Sequence, residues 1–412
     1  MMQDDISFSG DALAPARAEA EARLAAMGLP GRRDEYWRWT RPEVYTGPLA
    51  PFAAHAEERP FFDGLDALHL VFVDGRFDPA ASDPLDGLEG VEVAPIAKAG
   101  PWAAQLYGTL EAASQTPVPR PLAALNTARA ADGVALRVTG KPTRPLHIIH
   151  RRRADDADPL WHHLIRMEPG SEVTLIETGL AASRQNGLIE AEVCTGARLH
   201  LISARPSGEP AVAVSQLYAR VDEGGALKAF ALSVDGRAMR HEAQVELAGD
   251  DALVHLAGAI LGDGKHGPFH HDDTVFITHA GLRGESRQVF KKVLKNGAEG
   301  IFQGKILVRP GAQKTDGYQI SQALLLDDDS QFLAKPELEI YADDVKCSHG
   351  STTGALDETA LFYLRSRGIP HDRAVVLMVL SFLADALEEV EDESLREALA
   401  LRLEDWLTRE GR

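Results

Sequence analysis

The sequence predicts a mainly β protein whose core is a β-solenoid flanked by N-terminal and C-terminal helical regions. Three observations support this fold class. Short strands with alternating apolar residues recur between residues 134 and 346, helical periodicity replaces them after Gly354, and a segment rich in Ala, Glu and Arg precedes them. At 412 residues, the chain is long enough for several ordinary domains or for one elongated repeat architecture.

The first 120 residues are predicted to form a helical and mixed region. Residues 11–27 have the composition of a helix, which Gly28 ends. The aromatic segment at residues 32–39 can serve as a ligand platform, but we expect it to anchor this region by packing. Further predictions are a strand at residues 68–73, a helix at residues 102–113 and a boundary at the Pro-rich residues 116–121.

Two interleaved series of strands make up the predicted core at residues 121–350. The first series begins at residues 170, 196, 225 and 250, and the second at residues 188, 215 and 242. A coil of a solenoid leaves its apolar face and its strand edges unsatisfied until a neighbour stacks on it, which explains the even spacing. A β-sandwich remains an alternative, although its strands are usually spaced less uniformly. The last coil needs a cap or a partner chain at its open edge.

After Gly354 the pattern predicts a C-terminal helical domain at residues 351–412. The helices are expected at residues 356–367, at residues 373–390 and from Ser394 onward. We expect Asp372 to cap the second helix and Ser394 to begin the third. Exposed helices of this kind are suited to docking another protein.

Charge and composition exclude several classes of function. The formal net charge of -19, from 62 acidic and 43 basic residues, argues against nucleic acid as a partner. With only Cys194 and Cys347 there is no disulfide framework, so we expect a cytoplasmic location. Residues 1–10 lack an apolar signal core, and the most apolar run, residues 374–387, falls short of the roughly 20 residues of a membrane span. We therefore expect a soluble protein without a membrane partner.

Cys347 and His349 form the candidate site that joins the strand-rich and the helical parts of the chain. If residues 345–349 are extended, the thiol and the imidazole project from one face, where they can hold a soft metal. The alternative is a buried free thiol beside a capping histidine. Two residues supply only half a metal site.

The other candidate motifs are weaker. Alternation places His270 and Asp272 on one face of a strand, and His271 and Asp273 on the other, which leaves two ligands per face. The pairs His162 with His163 and His147 with His150 are weak candidates for the same reason. The glycines of residues 262–267 precede an extended segment rather than a helix, so they do not form a dinucleotide site. No catalytic residue is predicted, and we expect that the chain is not an enzyme.

Several segments resemble one family closely. Residues 297–305, 313–319, 335–350 and 361–368 resemble the SufB/SufD family, subunits of the SUF machinery that assembles iron–sulfur clusters. These motifs cover about the last third of the chain in detail. Residues 28–40 look like the N-terminal part of the SufD branch, as do the near absence of cysteine and the Cys-Ser-His sequence.

This resemblance implies a right-handed parallel β-helix in a complex with SufB and the ATPase SufC. SufB and SufD pair through the ends of their β-helices, which by carry-over places Cys347 and His349 at that interface as metal ligands shared with SufB. The C-terminal helices are implied to contact SufC, through Leu361, Phe362, Tyr363, Leu364, Arg365 and Gly368.

The resemblance and the ligand count together predict a non-catalytic scaffold. Clusters are held by several cysteine thiolates, sometimes with histidine in place of some of them, and this chain has two cysteines far apart in sequence. We expect no cofactor bound stably by the isolated chain, a transient cluster shared with SufB, and a reduced flavin as a candidate in the complex. The alternatives are a homodimeric iron–sulfur scaffold and a β-helix enzyme that acts on carbohydrate.

Overall fold

The structure is a computed structural model that describes residues 12–49, 62, 64–205 and 211–410, with side chains to residue 408. Residues 1–10, where no signal core is predicted, lie outside the described residues. The strands are β1 (Leu68–Val73), β2 (Arg76–Phe77), β3 (Val91–Pro95), β4 (Val134–Val138), β5 (Leu146–Arg151), β6 (Leu160–Met167), β7 (Glu172–Gly179), β8 (Arg184–Val193), β9 (Arg198–Arg205), β10 (Val212–Val221), β11 (Ala226–Val234), β12 (Ala238–Leu247), β13 (Leu253–Asp263), β14 (His270–His279), β15 (Glu285–Lys295), β16 (Glu299–Val308), β17 (Asp316–Leu325), β18 (Gln331–Ile340) and β19 (Lys346–Gly354). The α-helices are α1 (Ala14–Met27), α2 (Glu43–Thr46), α3 (Pro101–Leu106), α4 (Thr109–Ala113), α5 (Pro121–Arg129), α6 (Glu358–Ser366), α7 (His371–Leu387) and α8 (Glu393–Glu410).

Two sheets form a parallel β-solenoid, which confirms the predicted fold class. Sheet A has the order β19-β17-β15-β13-β11-β9-β7-β5-β1-β2, and sheet B has the order β18-β16-β14-β12-β10-β8-β6-β4-β3. The first predicted strand series lies entirely in sheet A and the second entirely in sheet B. The chain therefore alternates between the sheets once per coil.

Strand alternation separates an inner core from an outer one. On β13, Val254 and Leu256 point between the sheets, while Leu261 points outward and joins a second cluster with Val379 and Leu383 of α7. Burying one such side chain stabilises the fold by about 1.5–3 kcal/mol. The C-terminal helices thus cover the outer face of sheet A.

The two ends of the solenoid differ. At the N-terminal end, β2 and β3 pair antiparallel with β1 and β4 and close the sheets. At the other end, β16 is the one described strand that pairs with β18, and β17 is the one described strand that pairs with β19. An unpaired strand edge presents free backbone N–H and C=O groups, so this end is open to another chain.

The N-terminal aromatic segment packs on the outer face of sheet B, which confirms its predicted role as an anchor. Tyr36 and Trp37 are buried. The guanidinium of Arg240 lies 4.0 Å from the centre of the Trp37 ring, and the Tyr36 hydroxyl donates a hydrogen bond to Glu337 of β18. The segment therefore ties the N-terminus to the last coils.

The predicted helix boundaries differ from the structure at three places. The expected helix at residues 102–113 is divided into α3 and α4, because Gly108 adopts a left-handed conformation with φ of 74°. Asp372 lies in the first turn of α7 rather than at its cap. The cap of α8 is Asp392, which accepts a hydrogen bond of 3.0 Å from the Leu395 amide, so the prediction that Ser394 begins this helix was one residue late.

Two further sequence predictions concern membrane-spanning helices and domain boundaries. Among the described helices, none combines the length and apolar character that crossing a lipid bilayer requires. The division of the chain at residues 120 and 350 stays a prediction.

Candidate functional site

Cys347 and His349 lie on β19, the last strand of sheet A. Cys347 is opposite Gly317 of β17, and His349 is opposite Gln319. Because the two residues are two positions apart on an extended strand, their side chains share one face, as the spacing predicted. Both residues therefore belong to the open end of the solenoid.

The Cys347 thiol is half-buried at this end. It packs against a small apolar cluster that contains Ile306 and Leu338. Gly317 provides the space, since a Cβ atom at that position would lie 3.3 Å from Cys347 Sγ. Burial raises the pKa of the Cys347 thiol, and the Gly317 backbone opposes this effect only in part. The thiol is therefore mainly protonated near neutral pH unless a metal or a partner changes its surroundings.

His349 differs from Cys347 in its surroundings. Its side chain is exposed, and it makes no hydrogen bond or ion pair with any residue of the described chain. The neighbouring Gln319 is fully buried, yet neither atom of its amide group has a partner among the described residues. An imidazole with an unused nitrogen at an open strand edge is a competent ligand for iron or zinc.

This chain supplies few ligands at the open end. Cys194 precedes β9, which is five strands from β19 in sheet A. At about 4.8 Å per strand, about 24 Å separate the two cysteines along the solenoid axis. They cannot share a metal, and a complete site at β19 needs groups from elsewhere.

The structure assembles one buried group that sequence reasoning missed. Among the described residues, His150, His163 and Glu177 place potential ligand atoms within 4.8 Å of one another. However, the Val134 amide donates to His163 Nδ1 at 3.1 Å, so the proton of the neutral ring lies on Nε2. A metal-bound histidine normally donates its other N–H to an acceptor, so this arrangement does not favour a metal. The only signal for this group in the sequence was the two pairs of histidines, His147 with His150 and His162 with His163.

The segment from His270 to Asp273 is divided by alternation, as expected. His271 and Asp273 point inward with 3.4 Å between Nδ1 and Oδ2, and Lys292 forms an ion pair with Asp273. Although burial alone would raise it, the charge of Lys292 holds the pKa of Asp273 below its usual range. A lysine ammonium occupies the position where a metal would have to sit.

The predicted docking residues lie on and just after α6. Phe362 and Tyr363 are 72% and 55% exposed, whereas Leu361 is buried. Leu364 is half-buried, Arg365 is exposed, and Gly368 has a positive φ of 84° after the helix. Two adjacent exposed aromatic side chains are unusual on a free surface and are typical of interfaces.

Comparison with known proteins identifies the family. A profile described as "SUF system FeS cluster assembly, SufBD core domain" matches residues 151–382, more than half of the chain. The chain belongs to the SufBD family. The iron-sulfur cluster assembly protein SufD of Escherichia coli strain K12 is 29% identical over 410 residues, which cover 92% of this chain and 90% of that relative.

Two other relatives of this SufBD protein are also named as iron–sulfur cluster assembly proteins. An iron-sulfur cluster assembly SufBD family protein of Synechocystis is 25% identical, over 92% of this chain and 88% of its own length. The iron-sulfur cluster assembly protein SufD of Bacillus subtilis is 28% identical, over 63% of this chain and 60% of its own. The protein is thus a SufD-like member of the SUF family, with a role in iron–sulfur cluster assembly.

Proposed function

We propose that this SufBD protein is a non-catalytic scaffold subunit that pairs with a SufB-type chain at the open end of its solenoid and docks a SufC-type ATPase through α6. At the paired end it contributes His349, together with Cys347, to a transient iron–sulfur cluster. The observation that carries this proposal is the exposed imidazole of His349, which has no partner among the described residues and lies on β19 at the open edge of sheet A.

The ligand count supports a shared site. The chain offers one thiol and one imidazole at this end, whereas a cluster requires more ligands than that. A partner that adds its own strand edge to β18 and β19 can bring the missing thiolates. Such a site suits a scaffold that releases its product, because separation of the two chains removes ligands from the cluster.

The position of α6 supports coupling to an ATPase. Only residues 355–357 connect β19 to α6. A displacement of α6 by a partner bound to Phe362 and Tyr363 is therefore transmitted to the strand that carries Cys347 and His349. In this proposal, ATP-driven dimerisation of SufC moves α6 and exposes the two ligands.

Anaerobic reconstitution of the complex with SufB and SufC tests the role of His349. We expect the isolated chain to bind little iron and sulfide, the complex to bind both, and His349→Ala to reduce the amount bound in the complex. His266→Ala is the matched control, because His266 is exposed in the loop between β13 and β14. Equal loading of the His349→Ala complex and the parent complex would refute the assignment.

Size measurement tests the choice of partner. The open edge of β19 also permits pairing of two copies of this chain. We expect the addition of SufB to replace any homodimer by a heterodimer. A homodimer that persists beside SufB and loads clusters alone would favour a homodimeric scaffold instead. Binding of a reduced flavin by the complex stays a prediction.

A further inference from the structure

A polar group lies inside the solenoid, several coils away from β19. We call Ser203, Arg205, Ser215 and His241 the interior polar group. Ser203 and Arg205 come from β9, Ser215 from β10 and His241 from β12, and all four line the same two cavities between the sheets. A cation without a charged partner inside a solenoid core requires a physical reason.

Arg205 is the unusual member of this group. Its side chain is 5% exposed, and its only hydrogen bond to a described residue is the 2.7 Å bond that Nη2 donates to Ser215 Oγ. A guanidinium has five N–H donors, so most of them are unused. Among the described residues, no carboxylate oxygen lies within 4.0 Å of this guanidinium. A buried cation without a counter-charge destabilises the folded state, because it has lost its hydration without gaining a partner.

The nearby charges do not neutralise Arg205. The Glu177 carboxylate interacts with Arg205 only at longer range, and it already accepts a hydrogen bond of 2.8 Å from His150 Nε2. Lys292, a second cation inside the solenoid, is paired with Asp273. Burial lowers the pKa of His241 to about 4, so this ring is a neutral hydrogen-bond donor at pH 7.

The cavities beside Arg205 are small. Their volumes are about 20 and about 40 Å³. A water molecule requires roughly 10–15 Å³ by the same measure, so each cavity accommodates one to a few small atoms and excludes larger oxyanions and nucleotides. Ser203 and Ser233, which line the first cavity, make no hydrogen bonds with described side chains, so their hydroxyls can donate into it.

We infer that the interior polar group binds a small monovalent anion of halide size, such as chloride or hydrosulfide, against Arg205. The anion supplies the missing negative charge and accepts hydrogen bonds from the guanidinium and the serine hydroxyls. This site is separate from the proposed cluster site at β19 and does not depend on the proposed function.

Crystals of the full chain grown with sodium bromide in place of chloride test the inference directly. We expect an anomalous bromide peak within hydrogen-bonding distance of the Arg205 guanidinium. The addition of chloride or of hydrosulfide, in separate anaerobic soaks, should reduce the peak and show which anion binds more tightly. A cavity that contains only water in bromide crystals overturns the inference.

Thermal unfolding in solution provides a second readout. At constant ionic strength, replacement of gluconate, which is too large for the cavity, by bromide should raise the Tm of the parent chain by mass action. Arg205→Met should abolish this rise. Arg220→Met is the control, because Arg220 lies on β10 like Ser215 but is exposed and paired with Asp222. An equal bromide effect in the parent chain and in Arg205→Met would also overturn the inference.

Discussion

Gln319 lies directly opposite His349 in the parallel pairing of β17 with β19. Its amide group is completely buried and has no hydrogen-bond partner among the described residues. An apolar side chain of the same size would fill this position at lower free energy, so the amide is a feature of the open end that stability does not explain.

The stability of Gln319→Met tests this interpretation. A buried, unsatisfied amide is destabilising by about 1–3 kcal/mol, so we expect the substitution to raise the free energy of unfolding by about 1 kcal/mol in urea titrations. Gln322→Met, on the same strand, should instead lower the free energy of unfolding, because the Gln322 amide is hydrogen-bonded to Lys291 and Thr352. A loss of stability in Gln319→Met would mean that ordered water satisfies the amide.

The reactivity of Cys347 is expected to be low. Burial raises the pKa of its thiol, and only the thiolate is alkylated rapidly, so the reaction should become fast at a higher pH than for an unfolded thiol. Alkylation by iodoacetamide, followed by mass spectrometry in a Cys194→Ser background, measures the profile. The same chain in urea is the reference, and a midpoint below that reference would contradict the expectation.

Acid sensitivity should come partly from buried histidines. Burial lowers the pKa of His279 to about 4, whereas an unfolded histidine titrates near 6.5. The unfolded state therefore binds more protons below pH 6.5, and the free energy of unfolding falls as the pH falls. For one histidine this amounts to about 2 kcal/mol between pH 7 and pH 5.

Urea titrations at several pH values measure the contribution of His279. His279→Gln should flatten the decline by about that amount, because glutamine does not titrate. His266→Gln, at an exposed loop position, should leave the slope unchanged. Parallel slopes for the parent and His279→Gln would show that His279 takes up its proton without unfolding.

The exposed aromatic residues of α6 should matter for binding and not for stability. Phe362 is 72% exposed, so Phe362→Ala should change the free energy of unfolding by less than about 0.5 kcal/mol. If it anchors the ATPase, the substitution should weaken binding to SufC by about 2 kcal/mol in calorimetry. Leu401→Ala is the control, because Leu401 is 67% exposed on α8. Equal affinities of both variants would remove Phe362 from the interface.

The regular parts of the fold could be predicted from local pattern. The even spacing predicted two strands per coil, and each predicted series lies in a single sheet because every coil repeats the same two strands. Alternation likewise separated His271 and Asp273 from His270 and Asp272. The start of α8 could not be predicted to the residue, because Asp392 and Ser394 are both residue types that cap helices well and lie two positions apart.

The interior groups could not be predicted in the same way. His150, His163 and Glu177 come from β5, β6 and β7, and their proximity depends on register across two sheets. By its residue type and its position at the end of a strand, Arg205 looks like an ordinary surface residue. Only the three-dimensional arrangement shows that its guanidinium points into the core.

The contact between Tyr36 and Glu337 has a consequence for synthesis on the ribosome. These residues are 301 positions apart. At about 5–20 residues per second, roughly 15–60 s pass between the appearance of Tyr36 and that of its partner. Tyr36 thus emerges long before the residue that accepts its hydrogen bond. A nascent chain must keep this aromatic side chain from other contacts until Glu337 has been added.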